Sequence, residues 1–263
     1  QTEDALRIVV EDVFEQLARD KVIYAELRFA PLLHLLNGLT PEAVVTAVDR
    51  SAEQCIRDTG IEARLILCTL RHFTQDQSLQ TARLVHQFQG TRVAALDIAG
   101  DEAGFPIDAH IAAFKYAIDN GLPRTAHAGE AAGPASVWET LRSFQPTRIG
   151  HGVRSIEDPA LVQHLAHHQI HLEVCPTSNV QTRTVLTYQD HPIDRLYRAG
   201  VPLSISTDTR TITNVTLEQE YASLRNQFHW TDEDLQACNR EALRAAFIDE
   251  HTRTHLLTQL DTL

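Results

Sequence analysis

In the opening stretch EDALRIVVEDVFEQLARD, apolar side chains recur at Leu6, Val9, Val10, Val13 and Leu17, the spacing of one helix face. The pattern then changes. KVIYAELRFAP is rich in β-branched and aromatic residues and stops at a proline, which reads as a strand. Thr40-Pro41-Glu42 supplies an N-cap, a first-turn proline and a first-turn acid for a helix running to about Gly60. IEARLILCTL is the next strand, DQSLQTARLVHQF the next helix, and TRVAALDIAGDE the strand after it. PIDAHIAAFKYAIDNG places Ile107, Ile111, Phe114 and Ile118 on one stripe and ends at Gly121. Further units close in LPRTAHAGE, TRIGHGVR, IHLEVCPTSN and VPLSISTDTR. The chain then finishes in helices, one capped at Thr231 and another through LQACNREALRAAFIDEH.

Helix and short strand alternate without a linker, which predicts parallel strands wrapped by helices in one α/β domain spanning residues 1–263. Seven strands are legible, whereas a closed (β/α)8 barrel of the TIM type has eight. The expectation is a barrel whose first strand precedes Gln1. The absence of methionine, even at position 1, agrees with a start further upstream. An open doubly wound sheet is the rival, but its glycine-rich phosphate loop after the first strand is missing.

In a barrel, active-site groups lie at the C-terminal ends of the strands. The unusual polar residues gather there: Asp97 and Gly100, His127 and Glu130, His151, Asp208. Alone, His127 reads as a structural histidine and Asp208 as a helix cap. Together, imidazole and carboxylate suit a zinc site, with further ligands needed from elsewhere. Glu130 lies three residues from His127 across a turn, where a carboxyl could pass protons to a substrate. His151 sits between two glycines that let another group approach closely. Glu26 and Arg28 alternate on one side of their strand and read as a buried, structural ion network. The histidines from 164 to 171 follow a helix and its exit and read as a solvated face, not a metal site.

Composition narrows the chemistry. A net charge of −12 without charge blocks makes nucleic acid a poor partner. No apolar run reaches membrane-spanning length, and no signal peptide opens the chain. Cys55, Cys68, Cys175 and Cys238 form no C-x-x-C pair, which suits a reducing cytoplasm. Lysine occurs only at positions 21 and 115, neither on a strand. That removes a Schiff-base aldolase and a lysine-bridged binuclear hydrolase. The cytidine-deaminase zinc pattern is also absent, leaving one mononuclear metal in a barrel.

YAELRFAP, LDIAGDE, TAHAGE, RIGHGVR, LEVCPTSN and SISTDT occur in this order across nearly the whole chain. In these strings the sequence resembles the adenosine deaminases among the metal-dependent amidohydrolases. The resemblance implies zinc-dependent hydrolysis of adenosine, or a close 6-aminopurine nucleoside, to the 6-oxo product and ammonia, with one zinc per chain. It makes His127 a zinc-binding histidine and Asp208 the carboxylate zinc ligand that also holds the attacking water. Glu130 becomes the acid that protonates purine N1. His151 becomes the residue that orients and deprotonates the water, or stabilises its negative charge. Gly100 becomes the glycine whose backbone N–H meets purine N3.

Two departures bear on this. The family's H-x-H pair of zinc ligands belongs to the strand expected before Gln1. Thr209 stands where most members carry a second aspartate that contacts purine N7. The alternatives are therefore an adenine or modified-adenine deaminase, and a non-catalytic barrel remnant acting as a binding protein. Amphipathic helices cover a barrel whether or not it dimerises, so the pattern does not choose an oligomeric state.

Overall fold

The computed structural model describes residues 1–262. The chain runs α1 (Glu3–Arg19), β1 (Tyr24–Phe29), α2 (Pro41–Thr59), β2 (Glu62–Leu70), α3 (Gln75–Gln87), β3 (Val93–Ala99) and α4 (Ile111–Asp119). It continues through β4 (Thr125–Ala128), α5 (Pro134–Phe144), β5 (Arg148–His151), α6 (Pro159–His167), β6 (His171–Val174), α7 (Pro176–Gln181) and α8 (Ile193–Arg198). It closes with β7 (Leu203–Ile205), α9 (Arg210–Thr213), α10 (Leu217–Phe228), α11 (Asp232–Ala245) and α12 (Glu250–Leu260). Threonine opens many of these helices. The hydroxyls of Thr2, Thr40, Thr74, Thr216 and Thr231 each accept a first-turn backbone N–H that has no partner within the helix.

Contacts divide the chain into two compact units. The first comprises residues 1–100, 105–124 and those from 247 on, and holds the parallel sheet β1-β2-β3. β2 is buried over most of its length, as expected for a parallel strand covered on both faces. Arg28 Nε lies 2.9 Å from the fully buried Asp97 Oδ2. Glu26 Oε1 accepts from Tyr24 Oη at 2.7 Å and from the Phe247 backbone N–H at 2.8 Å. Both side chains are thus held in polar networks, as expected, but they are half-buried and not buried.

One stripe differs from expectation. Ile111 is exposed, while Ala113, Phe114 and Ala117 carry the buried face of α4. Within α4 the buried face is centred between Ala113 and Phe114, about 100° apart, and Ile111 falls beyond its edge. A 3₁₀ turn at Asp108–His110 precedes the helix. His110 is buried there, its Nδ1 3.0 Å from Ser78 Oγ and its Nε2 3.1 Å from the Arg71 carbonyl.

The second unit, residues 101–104 and 125–246, holds the parallel sheet β4-β5-β6-β7. Its registry pairs His127 with Gly150, Ala128 with His151 and Val174 with Ile205, which fixes which strand ends are neighbours. Ile149, Leu172, Val174 and Leu203 pack beneath α5, α6, α8 and α11 through Val137, Leu161, Leu165, Leu196 and Leu235. At the strand starts, Arg148 Nε sits 2.7 Å from Glu173 Oε1, which also accepts from Thr125 Oγ1 at 3.1 Å. His171, also at a strand start, is buried, with Nε2 2.9 Å from Ser204 Oγ. His167 and His168 are exposed, as read from the sequence. His171 leaves that solvated face because it starts β6 instead of extending α6. No helix among the described residues is long and apolar enough to cross a membrane.

Candidate active site

Eight described non-glycine residues have positive φ. Six follow or cap helix C-termini: Lys21, Gln145, Gln169, Arg183, Asn214 and His229, where the left-handed conformation is routine. His151 (φ 59°) and Asp208 (φ 57°) are different, because they lie at or just beyond strand ends. A left-handed residue there costs about 1–2 kcal/mol, and such conformations cluster where function over-determines geometry.

Their side chains converge. His151 Nε2 is 3.5 Å from Glu130 Oε2 and 3.9 Å from Asp208 Oδ2. The rings of His127 and His151 have centroids 5.2 Å apart. Gly150 makes room for this pair: a Cβ at position 150 would sit 2.9 Å from both Cγ and Nδ1 of His127. Asp208 Oδ2 accepts from Ser178 Oγ at 2.7 Å, and its Oδ1 from Thr209 Oγ1 at 3.3 Å. Burial raises the Asp208 pKa, but His151, the Ser178 hydroxyl and His127 outweigh it and hold the carboxyl below its ordinary value. Asp208 is therefore poised as an anion. Of the two readings its sequence position allowed, the cap is not realised, since Thr209 is the N-cap residue of α9.

Thr182 Oγ1 donates to Glu130 Oε1 at 3.3 Å. The backbone under Glu130 is held by Glu102. Glu102 Oε1 accepts from Gly129 N at 2.7 Å and Ser136 Oγ at 2.6 Å. Its Oε2 accepts from Glu130 N at 3.0 Å and Ala132 N at 2.9 Å. Behind His151, Asn179 Nδ2 lies 3.0 Å from His151 Nδ1, and Asn179 Oδ1 lies 3.2 Å from His191 Nε2. All three side chains are buried.

The structure thus brings together His127, Glu130, His151, Asp208 and Thr209, all in the second unit. Gly100 follows β3 in the first unit with φ 103°. Three contributors escaped the sequence reading: Glu102, the Asn179–His191 pair and Cys175. His151, Cys175 and Asp208 each offer a ligand atom, all within 4.8 Å of one another. The available signal for Cys175 was its place at the end of the β6 strand. The imidazole of His127, beside the His151 ring, with the Asp208 carboxylate and the Cys175 thiol offers the donor types that borderline-soft zinc accepts, so these residues fit such an ion.

Comparison with known proteins agrees with this chemistry. The adenosine deaminase family model matches residues 1–263. An adenosine deaminase of Clostridium acetobutylicum is 34% identical over 259 residues, covering 98% of this chain and 77% of the relative. Among solved structures, an adenine deaminase of Arthrobacter aurescens superposes with a TM-score of 0.93 at 26% identity, covering 100% of this chain and 80% of that one. The apo N6-methyl-AMP deaminase of Arabidopsis thaliana gives a TM-score of 0.89 at 26% identity, covering 100% of this chain and 79% of its own. The parallel strands, the helices between them and these relatives place the fold in the TIM-type (β/α)8 class, and the activity is that of an aminohydrolase. The chain belongs to the adenosine deaminase family.

Proposed function

We propose that the chain hydrolyses the 6-amino group of adenosine, or a close 6-aminopurine nucleoside, to the 6-oxo product and ammonia with zinc as its metal. The observation that carries this reading is the convergence of His151 Nε2 on Glu130 and Asp208 at 3.5 and 3.9 Å. Beside it, the His127 ring completes a set of nitrogen and oxygen donors.

His127 and Asp208 would hold the ion, with Cys175 and His151 bordering it. A zinc ion supplies the Lewis acidity that makes water a nucleophile near neutral pH. The protein's own groups do the rest. Glu130, kept in place through its backbone by Glu102, delivers a proton to purine N1 and makes C6 electrophilic. Asp208, held as an anion, orients the water for addition at C6. His151 Nε2 faces that oxygen, either taking its proton or donating a hydrogen bond to its developing charge. The C6–N bond then breaks, and the amino group leaves as ammonia after gaining a proton. In this reading the backbone N–H of Gly100 meets purine N3 and the Thr209 hydroxyl meets N7.

Glu130→Gln tests the reading: deamination should vanish while the protein retains about one zinc per chain. Normal turnover of this variant refutes Glu130 as proton donor. Thr209 favours a second reading, a free adenine or modified-adenine substrate, because a neutral hydroxyl anchors N7 less strongly than a carboxyl group. A panel of adenosine, deoxyadenosine, adenine and N6-methyl forms separates the two by loss of the 6-amino absorbance. Four buried free cysteines agree with a reducing, cytoplasmic setting.

A further inference from the structure

The hydrogen bonds behind His151 have a polarity that can be deduced from one fixed point. The backbone N–H of Ile193 lies 3.1 Å from His191 Nδ1. A backbone N–H can only donate, and this one opens α8, where no intrahelical acceptor exists. His191 Nδ1 must therefore be bare, and its proton sits on Nε2. Burial, with His151 nearby, lowers the His191 pKa to about 3, so the ring carries a single proton.

The rest follows outward. His191 Nε2–H donates to Asn179 Oδ1 across 3.2 Å, which turns the Asn179 amide nitrogen toward His151 Nδ1 at 3.0 Å. That nitrogen is a donor, so His151 Nδ1 must accept and carry no proton. Turning Asn179 over would place its N–H against the N–H of His191 Nε2, in a site where all three side chains are buried. Only one arrangement satisfies every atom.

We propose that Asn179 and His191 are positioning residues that lock His151 as its Nε2–H tautomer, so that His151 acts as a hydrogen-bond donor and not as a base. The inference rests on the deaminase reading above for its consequence. Nε2 faces the carboxylate oxygens of Glu130 and Asp208 at 3.5 and 3.9 Å, as a donor should. With its proton already in place, Nε2 has no lone pair with which to remove one from water. Nδ1, the remaining basic atom, is covered by the Asn179 amide. His151 thus stabilises negative charge on the attacking oxygen, and the water proton passes to the Asp208 carboxylate, from which the departing amino group can take it up.

The test is nitrogen-15 NMR of the histidine rings in the labelled protein, with the His151 signals identified by their loss in His151→Gln. A pyrrole-type Nε2 and a pyridine-type Nδ1 are expected; the reverse assignment overturns the proposal. Asn179→Asp presents only acceptors and should pull the His151 proton to Nδ1. It should lower kcat on the order of 100-fold or more with KM little changed, the scale at which a lost donor or wrong tautomer acts. Unchanged tautomer and kcat overturn the proposal.

If Asn179→Asp does not fold, position 191 decides. His191→Gln keeps a donor toward Asn179 Oδ1 and should preserve the tautomer, whereas His191→Leu fills the space without a donor and should give a mixture. A single unchanged tautomer in both overturns the relay. Wild-type protein with the expected tautomer but no turnover on any 6-aminopurine supports the lock and refutes the functional reading.

Discussion

Glu102→Gln changes one atom in a carboxylate that is 8% exposed and accepts four hydrogen bonds. Glutamine offers one acceptor and one donor group where glutamate offers two acceptors. If the amide nitrogen faces Glu130 and Ala132, two backbone N–H groups lose their acceptor. If it faces Gly129 and Ser136, the serine hydroxyl can rotate to accept, and only the Gly129 N–H is stranded. The second orientation is the cheaper one. A stranded buried donor costs about 1–3 kcal/mol, and the surviving bonds lose their charge assistance, giving a total of about 2–4 kcal/mol. For a chain of this size that corresponds to a Tm lower by roughly 4–16 °C. The loop also carries Glu130, the proposed proton donor, and misplacing such a group by about 1 Å can cost on the order of 100-fold in rate. Thermal unfolding by circular dichroism and initial rates by loss of the 6-amino absorbance measure the two effects. A Tm within about 1 °C of wild type and kcat within about twofold, the range of an inconsequential surface change, would refute the clamp.

Two further variants probe other parts of the second unit. Glu220 is fully buried, and burial raises its pKa to about 7 from 4.5 against the opposing hydrogen bond from Thr177 N. The folded state therefore favours the protonated form. The stability this supplies is complete below pH 4.5 and is lost as the pH rises through 7. Glu220→Gln keeps an acceptor for Thr177 and should unfold at higher temperature than wild type at pH 8, by up to about 3 kcal/mol of stability, with no difference near pH 4. A pH-independent difference in Tm refutes this. Gly150→Ala pushes a methyl group to 2.9 Å from the His127 ring and should displace it. Zinc affinity measured against a chelator should fall on the order of 10-fold or more. Unaltered affinity removes His127 from the ligand set.

The strand ends were legible because their signal is local. Period-two alternation, β-branched residues and the helix that follows all lie within a few positions of TAHAGE, IGHG and STDT. His127, Glu130, His151 and Asp208 could therefore be assigned to one end of successive units before any distance was known. Glu102 could not, since its partners begin 27 residues away at Gly129 and depend on how β3 and β4 lead into their loops. Asn179 and His191 hid for a related reason. Their bonds to each other and to His151 run across α7 and the segment before α8, where no periodicity applies. His171 was misread because a histidine next to a histidine-rich helix looks solvated until the strand boundary is known. Ile111 shows the converse: apolar size suggests burial, and a buried face centred on Ala113 and Phe114 leaves it outside.

These hidden residues share a task. His151 and Asp208 both adopt a left-handed backbone that costs about 1–2 kcal/mol apiece, so each needs something to over-determine it. Asn179 holds the first and Ser178 the second, from adjacent positions in α7. Glu102 plays the same part for the loop that carries Glu130. A glycine would relieve the strain at 151 or 208 but would delete the side chain to which the proposed reaction gives a role. The chain keeps His151 and Asp208 in a costly conformation and surrounds them with donors and acceptors that admit few alternatives. Such positioning atoms have no catalytic chemistry of their own, so motif reading passes over them. The geometry of the reacting groups depends on them all the same.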